Sequence, residues 1–246
     1  MKANFPKLNL LGIEVDKVNA ADALSAFREF MKTPELDLIC TPNSEIIMNA
    51  KKDPEMEAIL KKASLVIPDG IGIVYASRIL KDPLEGRVTG VDFLSDILAC
   101  SAKEGYRVYL LGAKPGVAEA AAKKMTETYP GLQIVGTHDG YFKADEEEAL
   151  AKAIGETKPD FLCVAMGSPK QEKFAVRYKE LLGVKAAMGV GGSLDVWAGT
   201  AKRAPEFYQK HGLEWFYRLC QEPSRIGRMM ALPAFMLKVL FSPKDK

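Results

Sequence analysis

The sequence is poor in the residues that bind metals through nitrogen and sulfur. It has 2 histidines and 4 cysteines in 246 residues, and no two cysteines form a CxxC pair. Structural zinc sites need Cys and His at short, regular spacing, so a zinc site is not expected. Scattered cysteines are also typical of a reduced, cytosolic protein rather than of a disulfide scaffold.

Long apolar runs are also missing. No stretch approaches the roughly 18 consecutive apolar residues that indicate a transmembrane helix, so none is expected. The first residues, MKANFPKLNLLGIEVD, contain no uninterrupted apolar region and no small-residue cleavage site, so we expect no signal peptide.

Three common catalytic or nucleotide-binding patterns do not occur. The sequence has no GxSxG motif, which excludes the usual serine hydrolases, and no Asp-x-Asp pair to hold manganese and a diphosphate. In GAKPGVAEAAA, Lys114 stands where the dinucleotide fingerprint needs its second glycine. No acidic residue for a ribose is evident at the usual spacing either. A nicotinamide-dependent dehydrogenase is therefore a disfavoured alternative.

Charge is unevenly distributed along the chain. From residue 196 onward the chain has nine Lys and Arg residues and four Asp and Glu residues. Residues 1–195 have 25 Lys and Arg residues and 28 Asp and Glu residues. A basic tail indicates an anionic partner. Because the body is acidic and the tail is rich in Met and Leu, a membrane surface is favoured and no nucleic-acid partner is expected.

Apolar strand-like runs alternate with helical patterns, as is typical of α/β proteins with a parallel sheet. The sequence predicts a Rossmann-like, mostly parallel sheet flanked by helices over residues 1–195. It predicts a helical, basic appendage over residues 196–246, with one or two helices after residue 210. The predicted strands are 36–41, 64–69, 106–112, 132–137, 160–167 and 184–192, and helices are predicted near 44–52, 70–80, 115–129, 145–156 and 169–182.

Polar residues follow several of these strands, at the edge where open α/β sheets bind ligands. Asp69, in IPDGIG, has the position of a general base, but spacing alone favours a helix N-cap. The segment TPNSE offers hydrogen-bonding groups for a sugar or a base, and Asn43 in it is predicted to cap the following helix. GSPKQE places Lys170 and Gln171 on the first turn of a helix, where a turn without any chemistry is the alternative.

The tail carries three arginines among aromatic and methionine residues: Arg218, Arg225 and Arg228. Arg225 and Arg228 are three residues apart and so share a helix face. Arginine forks suit diphosphates, although a solvated basic face or attraction to an anionic membrane remains an alternative. Residues 229–241 are too short to span a bilayer. They suit either a membrane interface or a contact between protomers, so a homo-oligomer stays open.

Nine segments, taken in order, resemble one known family. They are TPNSE, IPDGIG, RVTGVD, LLGAKPG, MGSPKQE, GVGGSLDVWAG, KRAPE, GLEWFYRL and EPSRIGR, and they extend from about Leu8 to Arg228. Each segment alone is a weak signal, but the ordered set is similar to the WecG/TagA/CpsF family, glycosyltransferase family 26.

The resemblance implies an inverting, metal-independent glycosyltransferase without a cofactor, bound peripherally to the inner face of the cell membrane. The TagA branch transfers N-acetylmannosamine from UDP-N-acetylmannosamine to undecaprenyl-diphospho-N-acetylglucosamine, which makes the linkage unit of wall teichoic acid. Another branch uses the N-acetylmannosaminuronic acid donor. A non-catalytic nucleotide-sugar-binding protein is the alternative of another class.

The resemblance also implies roles for individual residues. It places the catalytic base at Asp69. It places substrate-binding groups at six further positions, which are Thr41, Asn43, Gln171, Arg218, Arg225 and Arg228.

Overall fold

A small hairpin precedes the main sheet and is held to it by a buried carboxylate. In the computed structural model, which describes residues 5–221, 223 and 226–242, β1 (Lys7–Leu10) pairs antiparallel with β2 (Ile13–Asp16). Asp16 is fully buried. One carboxylate oxygen accepts from Lys7 Nζ at 2.9 Å, and the other accepts from the backbone N–H of Val66 at 2.7 Å. A buried charge is tolerated when it is paired and hydrogen-bonded in this way.

The centre of the fold is a six-stranded parallel sheet. Its spatial order is β4-β3-β8-β7-β5-β6, and every neighbouring pair is parallel. All six predicted strands are confirmed, although β4 is only two residues long. Pro68 has no N–H to donate to a neighbouring strand, so the pairing stops before it. The strands are β3 (Asp37–Cys40), β4 (Leu65–Val66), β5 (Arg107–Gly112), β6 (Gln133–His138), β7 (Phe161–Ala165) and β8 (Ala186–Gly189).

Helices cover both faces of this sheet. Alternate strand residues point to opposite faces: Leu38 and Cys40 of β3 join one core cluster, while Ile39 joins the other. In chain order the helices are α1 (Ala20–Phe30), α2 (Ser44–Ala50), α3 (Pro54–Lys62), α4 (Ile71–Ile79), α5 (Gly90–Glu104), α6 (Val117–Thr128), α7 (Glu147–Glu156), α8 (Lys170–Arg177), α9 (Lys179–Leu182) and α10 (Ser193–Ala198). The predicted doubly covered α/β fold is therefore confirmed.

Several helix predictions need correction. The helix predicted from residue 115 begins two residues later, because Gly116 at its N-cap is left-handed with φ 82°. The helix predicted over 169–182 is divided into α8 and α9 at Tyr178. The hairpin and the helices α1, α3, α5 and α10 are additions to the predicted elements.

The C-terminal region folds back onto the body. Its described helices are α11 (Glu206–Lys210), α12 (Glu214–Gln221), α13 (Ile226–Met229) and α14 (Ala231–Phe241), so the prediction of one or two helices after residue 210 is wrong in number. Helix α14 packs against α2 and α4. Phe235 and Val239 are buried there in the same cluster as Ile47 and Ile73.

The predicted boundary at residues 195 and 196 lies inside α10, which packs on α6. None of the described helices is long and apolar enough to cross a bilayer.

Candidate active site

A crevice lies at the carboxyl ends of β3 and β8, where the chain changes direction. After β3 the chain continues to β4 on one side, whereas after β8 it enters α10, which packs on α6 on the other side. In open α/β sheets, ligands bind in the crevice at such a switch point. Thr41, Asn43 and Asp69 lie in the loops after β3 and β4, and Gln171 lies on the first turn of α8, after β7.

Asp69 and Thr41 are neighbours at the crevice. Both approach Gly90, the first residue of α5: a Cβ atom at Gly90 would lie 3.6 Å from Asp69 Oδ2 and 3.3 Å from Thr41 Oγ1. Gly90 therefore leaves room for a carboxylate and a hydroxyl together. Both side chains are half-buried, as suits groups that must contact a ligand.

The capping prediction for Asp69 is wrong. The N-cap position of α4 is occupied by Gly70, with φ 85°, and Asp69 precedes it. A left-handed backbone conformation there favours glycine. A Cβ at Gly70 would also lie 3.2 Å from Cβ of Asn43, so the turn that follows Asp69 packs against Asn43.

Asn43 has the capping role that the sequence predicts. It is the N-cap of α2, and its Oδ1 accepts from the backbone N–H of Ile46 at 2.9 Å. This bond stabilises the start of α2 by about 1 kcal/mol. It also fixes the rotamer of a half-buried side chain at the crevice, so capping and substrate binding are compatible at this residue.

Gln171 connects two loops of the crevice. Its Oε1 accepts from the backbone N–H of Gly167, after β7, at 3.1 Å and from that of Gly191, after β8, at 3.3 Å. Its Nε2 donates to Oε1 of Glu172 at 2.8 Å. The side chain is 4% exposed. In this arrangement its amide holds the loops together, so the structure adds a positioning role to the predicted substrate-binding role.

Glu172 is a site residue that the sequence analysis did not select. It is buried, and its Oε2 has no hydrogen-bond partner among the described residues. Burial raises the pKa of its carboxyl, and hydrogen bonds from Gln171 and Ser168 only partly oppose this shift. Burial and the nearby Glu172 likewise raise the pKa of the Cys40 thiol, so Cys40 stays an unreactive thiol.

A signal for burial at position 171 was present in the sequence. Phe174 and Ala175 lie three and four residues after Gln171 on α8, and all three side chains are buried. Residues at this spacing share one helix face, so the apolar pair predicts that Gln171 faces the sheet rather than solvent.

The appendage arginines cannot be placed against these groups. Arg225 lies outside the described residues, as do the side chains of Arg218 in α12 and Arg228 in α13. Their predicted contact with a diphosphate therefore stays a prediction. Within the described ranges, no three His, Cys, Asp or Glu residues are grouped as a metal site would require.

A comparison with models of known families identifies the family of this chain. The model of the "Glycosyl transferase WecG/TagA/CpsF family" matches residues 8–246, which is nearly the whole chain. The chain belongs to this family.

Curated relatives in the family share about a third of their residues with it. One from Bacillus subtilis (strain 168) is 36% identical over 91% of this chain and 88% of its own length. One from Bacillus spizizenii is 37% identical over 88% of this chain and 86% of its own length. One from Staphylococcus aureus (strain MRSA252) is 35% identical over 97% of this chain and 94% of its own length. Each is named N-acetylglucosaminyldiphosphoundecaprenol N-acetyl-beta-D-mannosaminyltransferase.

Proposed function

We propose that this glycosyltransferase moves N-acetylmannosamine from UDP-N-acetylmannosamine to undecaprenyl-diphospho-N-acetylglucosamine, as in synthesis of the wall teichoic acid linkage unit. The names of the relatives support this acceptor and this sugar, and the chain covers 86–94% of their length. The observation that carries the proposal is the placement of the Asp69 carboxylate beside the Thr41 hydroxyl at the switch point.

Asp69 is the general base in this mechanism. It accepts the proton of the acceptor's 4-hydroxyl while that oxygen forms a bond to the anomeric carbon of the donor sugar. The bond from the anomeric carbon to the phosphate oxygen breaks, and UDP leaves with the electron pair. Attack opposite the leaving group inverts the anomeric configuration. A half-buried carboxylate at a strand end suits this role.

The remaining site residues bind and orient the donor. Thr41 and Asn43 provide hydroxyl and amide groups beside Asp69 for the sugar, and Gln171 holds the loops after β7 and β8 in place. The leaving diphosphate gains negative charge as the bond breaks. In this proposal Arg218, Arg225 and Arg228 stabilise that charge without a metal ion.

Helix α14 gives the protein an apolar surface suited to a bilayer. Its inner face is buried against the body, whereas Leu237, Leu240 and Phe241 on the outer face are each more than half exposed. Helix α14 has a single charged residue, Lys238. We propose that this face enters the interface of an anionic membrane, at the cytoplasmic surface where a lipid-linked acceptor is reached.

Two alternatives differ in their chemistry. The N-acetylmannosaminuronic acid donor differs by one carboxylate and requires the same base and leaving group. A non-catalytic nucleotide-sugar-binding protein predicts UDP binding without turnover.

The decisive test is UDP release from UDP-N-acetylmannosamine, in buffer with EDTA, with and without a lipid-diphosphate N-acetylglucosamine acceptor. Acceptor-dependent release is expected. If only the uronic acid donor reacts, the donor assignment is wrong. If no sugar in a UDP-sugar panel reacts while UDP still binds, the binding-protein alternative replaces the transferase.

A further inference from the structure

A pocket opens next to the segment that carries the candidate base. It has a volume of about 460 Å³ and lies between α4, the start of α5 and the turn after α11. Ile71 and Thr89 line it. Thr89 precedes Gly90, which lies against Asp69, and Ile71 follows Asp69 by two residues. The pocket is therefore adjacent to Asp69 but separate from the loops after β7 and β8.

The lining of this pocket is cationic. Arg78, Arg87 and Lys210 line it together with a single carboxylate, that of Asp92. Asp92 is already paired with Arg203, whose Nη2 lies 2.7 Å from its Oδ2. Arg87 is paired as well, with Glu214, so Arg78 and Lys210 remain to attract a multiply charged anion.

Arg78 is the cation most available to a ligand. Its side chain is exposed in the last turn of α4, and its guanidinium has no ion-pair or hydrogen-bond partner in the part of the chain that the structure describes. Among the described residues, Lys210 pairs with Glu206 on an exposed helix face, where such pairs are weak. Arginine binds phosphate oxygens with two parallel hydrogen bonds, so this position suits a diphosphate.

Arg87 joins the body to the appendage at the rim of the pocket. Its Nη2 lies 2.5 Å from Oε2 of Glu214 in α12, and both side chains are largely buried. On the opposite wall, Gly212 packs against Ile71 so closely that a Cβ there would lie 2.7 Å from Ile71 Cγ1. The pocket is thus formed only when the C-terminal helices lie on the body.

We propose that this pocket binds the diphosphate of the lipid-linked acceptor, with Arg78 and Lys210 as its main ligands. The inference rests on the proposed transferase function. A general base must contact the acceptor hydroxyl. The acceptor sugar then lies against Asp69, and the diphosphate on its far side enters the adjoining pocket.

The position of α14 indicates where the lipid chain of the acceptor would run. Helix α4 lines the pocket with Ile71, Tyr75 and Arg78, and its neighbouring face contacts α14, where Leu232 lies against Gly72. A polyprenyl chain that leaves the pocket therefore passes the apolar surface of α14. The proposed function assigns the donor diphosphate to other residues, Arg218, Arg225 and Arg228, so the two anions have separate cations.

The test compares Arg78→Gln with Arg28→Gln, which removes the same charge from the exposed face of α1. The KM for the lipid acceptor should rise at least about tenfold in Arg78→Gln, equivalent to about 1.4 kcal/mol. The Kd for UDP, measured by calorimetry, should not change. Arg28→Gln should resemble the wild type in both measurements.

A binding experiment separates this inference from the proposed activity. A water-soluble short-prenyl diphospho-N-acetylglucosamine is titrated into the protein with saturating UDP, so that the donor site is filled. Binding by the wild type and its loss in Arg78→Gln support the pocket even if no turnover occurs. Equal binding by both proteins overturns the inference, and so does a loss of UDP affinity in Arg78→Gln, which would assign Arg78 to the donor.

Discussion

The sequence around Asp69 is consistent with two roles, a helix N-cap and a general base, and its surroundings in the fold distinguish them. Spacing favours a cap, but the cap position belongs to Gly70, and the carboxylate instead shares the space above Gly90 with Thr41. The positive φ of Gly70 and the absence of a Cβ atom at Gly90 both make this placement possible. At the scale of single residues, two glycines decide where the candidate base lies.

Asp69→Asn should slow turnover by about 10²–10⁴, the usual range for loss of a general base. The amide has nearly the same shape but does not accept the proton, so UDP affinity should stay unchanged. Steady-state kinetics and UDP calorimetry measure the two effects. Asp145→Asn, at an exposed position ahead of α7, is the charge-matched control. Wild-type turnover in Asp69→Asn would remove Asp69 from the mechanism.

Glu172 makes the stability of the protein depend on pH. Burial raises the pKa of its carboxyl in the folded state above the unfolded value. The folded protein therefore holds a proton that the unfolded chain releases, and stability falls as pH rises through the interval between the two pKa values.

Glu172→Gln should weaken this pH dependence. Gln keeps an oxygen that accepts from Gln171 Nε2 but carries no titrating proton. Thermal unfolding between pH 4.5 and 8, a range that lies above the ordinary glutamate pKa of about 4.3, should show a smaller decline in Tm for the variant than for the wild type. Identical pH profiles would show that Glu172 does not carry the effect.

Helix α14 has a buried face and an exposed apolar face. Phe235 and Val239 complete a core cluster over α2 and α4, while Leu237, Leu240 and Phe241 are exposed. A helix that is apolar on all sides needs a partner on each. The body provides one, and a bilayer is the proposed second.

Exchanges on the two faces of α14 should separate stability from membrane binding. Phe235→Ala should lower the free energy of unfolding by about 3–5 kcal/mol, because it leaves a cavity in the core. The pair Leu237→Ser and Leu240→Ser should leave Tm nearly unchanged, as surface exchanges do, but weaken sedimentation with anionic phosphatidylglycerol vesicles.

Leu181→Ser, at a partly exposed position on α9, is the control for these vesicle measurements. Unchanged vesicle binding by the double variant contradicts the membrane proposal. If analytical ultracentrifugation shows that the wild type is a dimer and the double variant a monomer, the face is instead a contact between protomers.

At the scale of the whole molecule, the C-terminal helices and the α/β body depend on each other. Helix α14 covers a core cluster of the body, and the cationic pocket has walls from α4, α5 and the turn after α11. The ion pair of Arg87 with Glu214 joins the two parts at the rim. The appendage therefore contributes to the core of the body and to the proposed acceptor pocket.

A chain that ends at Gly199, after α10, should be less stable than the full chain and inactive. It keeps the sheet but exposes the apolar side chains under α14, such as Ile47 and Ile73. Differential scanning calorimetry should show a Tm lower than that of full-length Phe235→Ala, since the whole helix is lost. The same Tm as the wild type, or acceptor-dependent UDP release by the short chain, contradicts this dependence.

The sequence by itself determined the fold class, the six strands of the sheet and the cap at Asn43. These follow from local patterns: apolar runs, helical periodicity and the chemistry of helix starts. It also selected Thr41, Asp69 and Gln171 as polar groups at strand ends. Parallel strands must bring such groups to one edge.

Only the tertiary structure decided what these groups contact. Gly90 accommodates Asp69 from 21 residues earlier in the chain, Gln171 accepts from Gly191 after another strand, and α14 covers helices near the N-terminus. The pocket around Arg78 likewise joins segments more than 120 residues apart. Contacts of this kind depend on the packing of distant segments, which neither periodicity nor local spacing encodes.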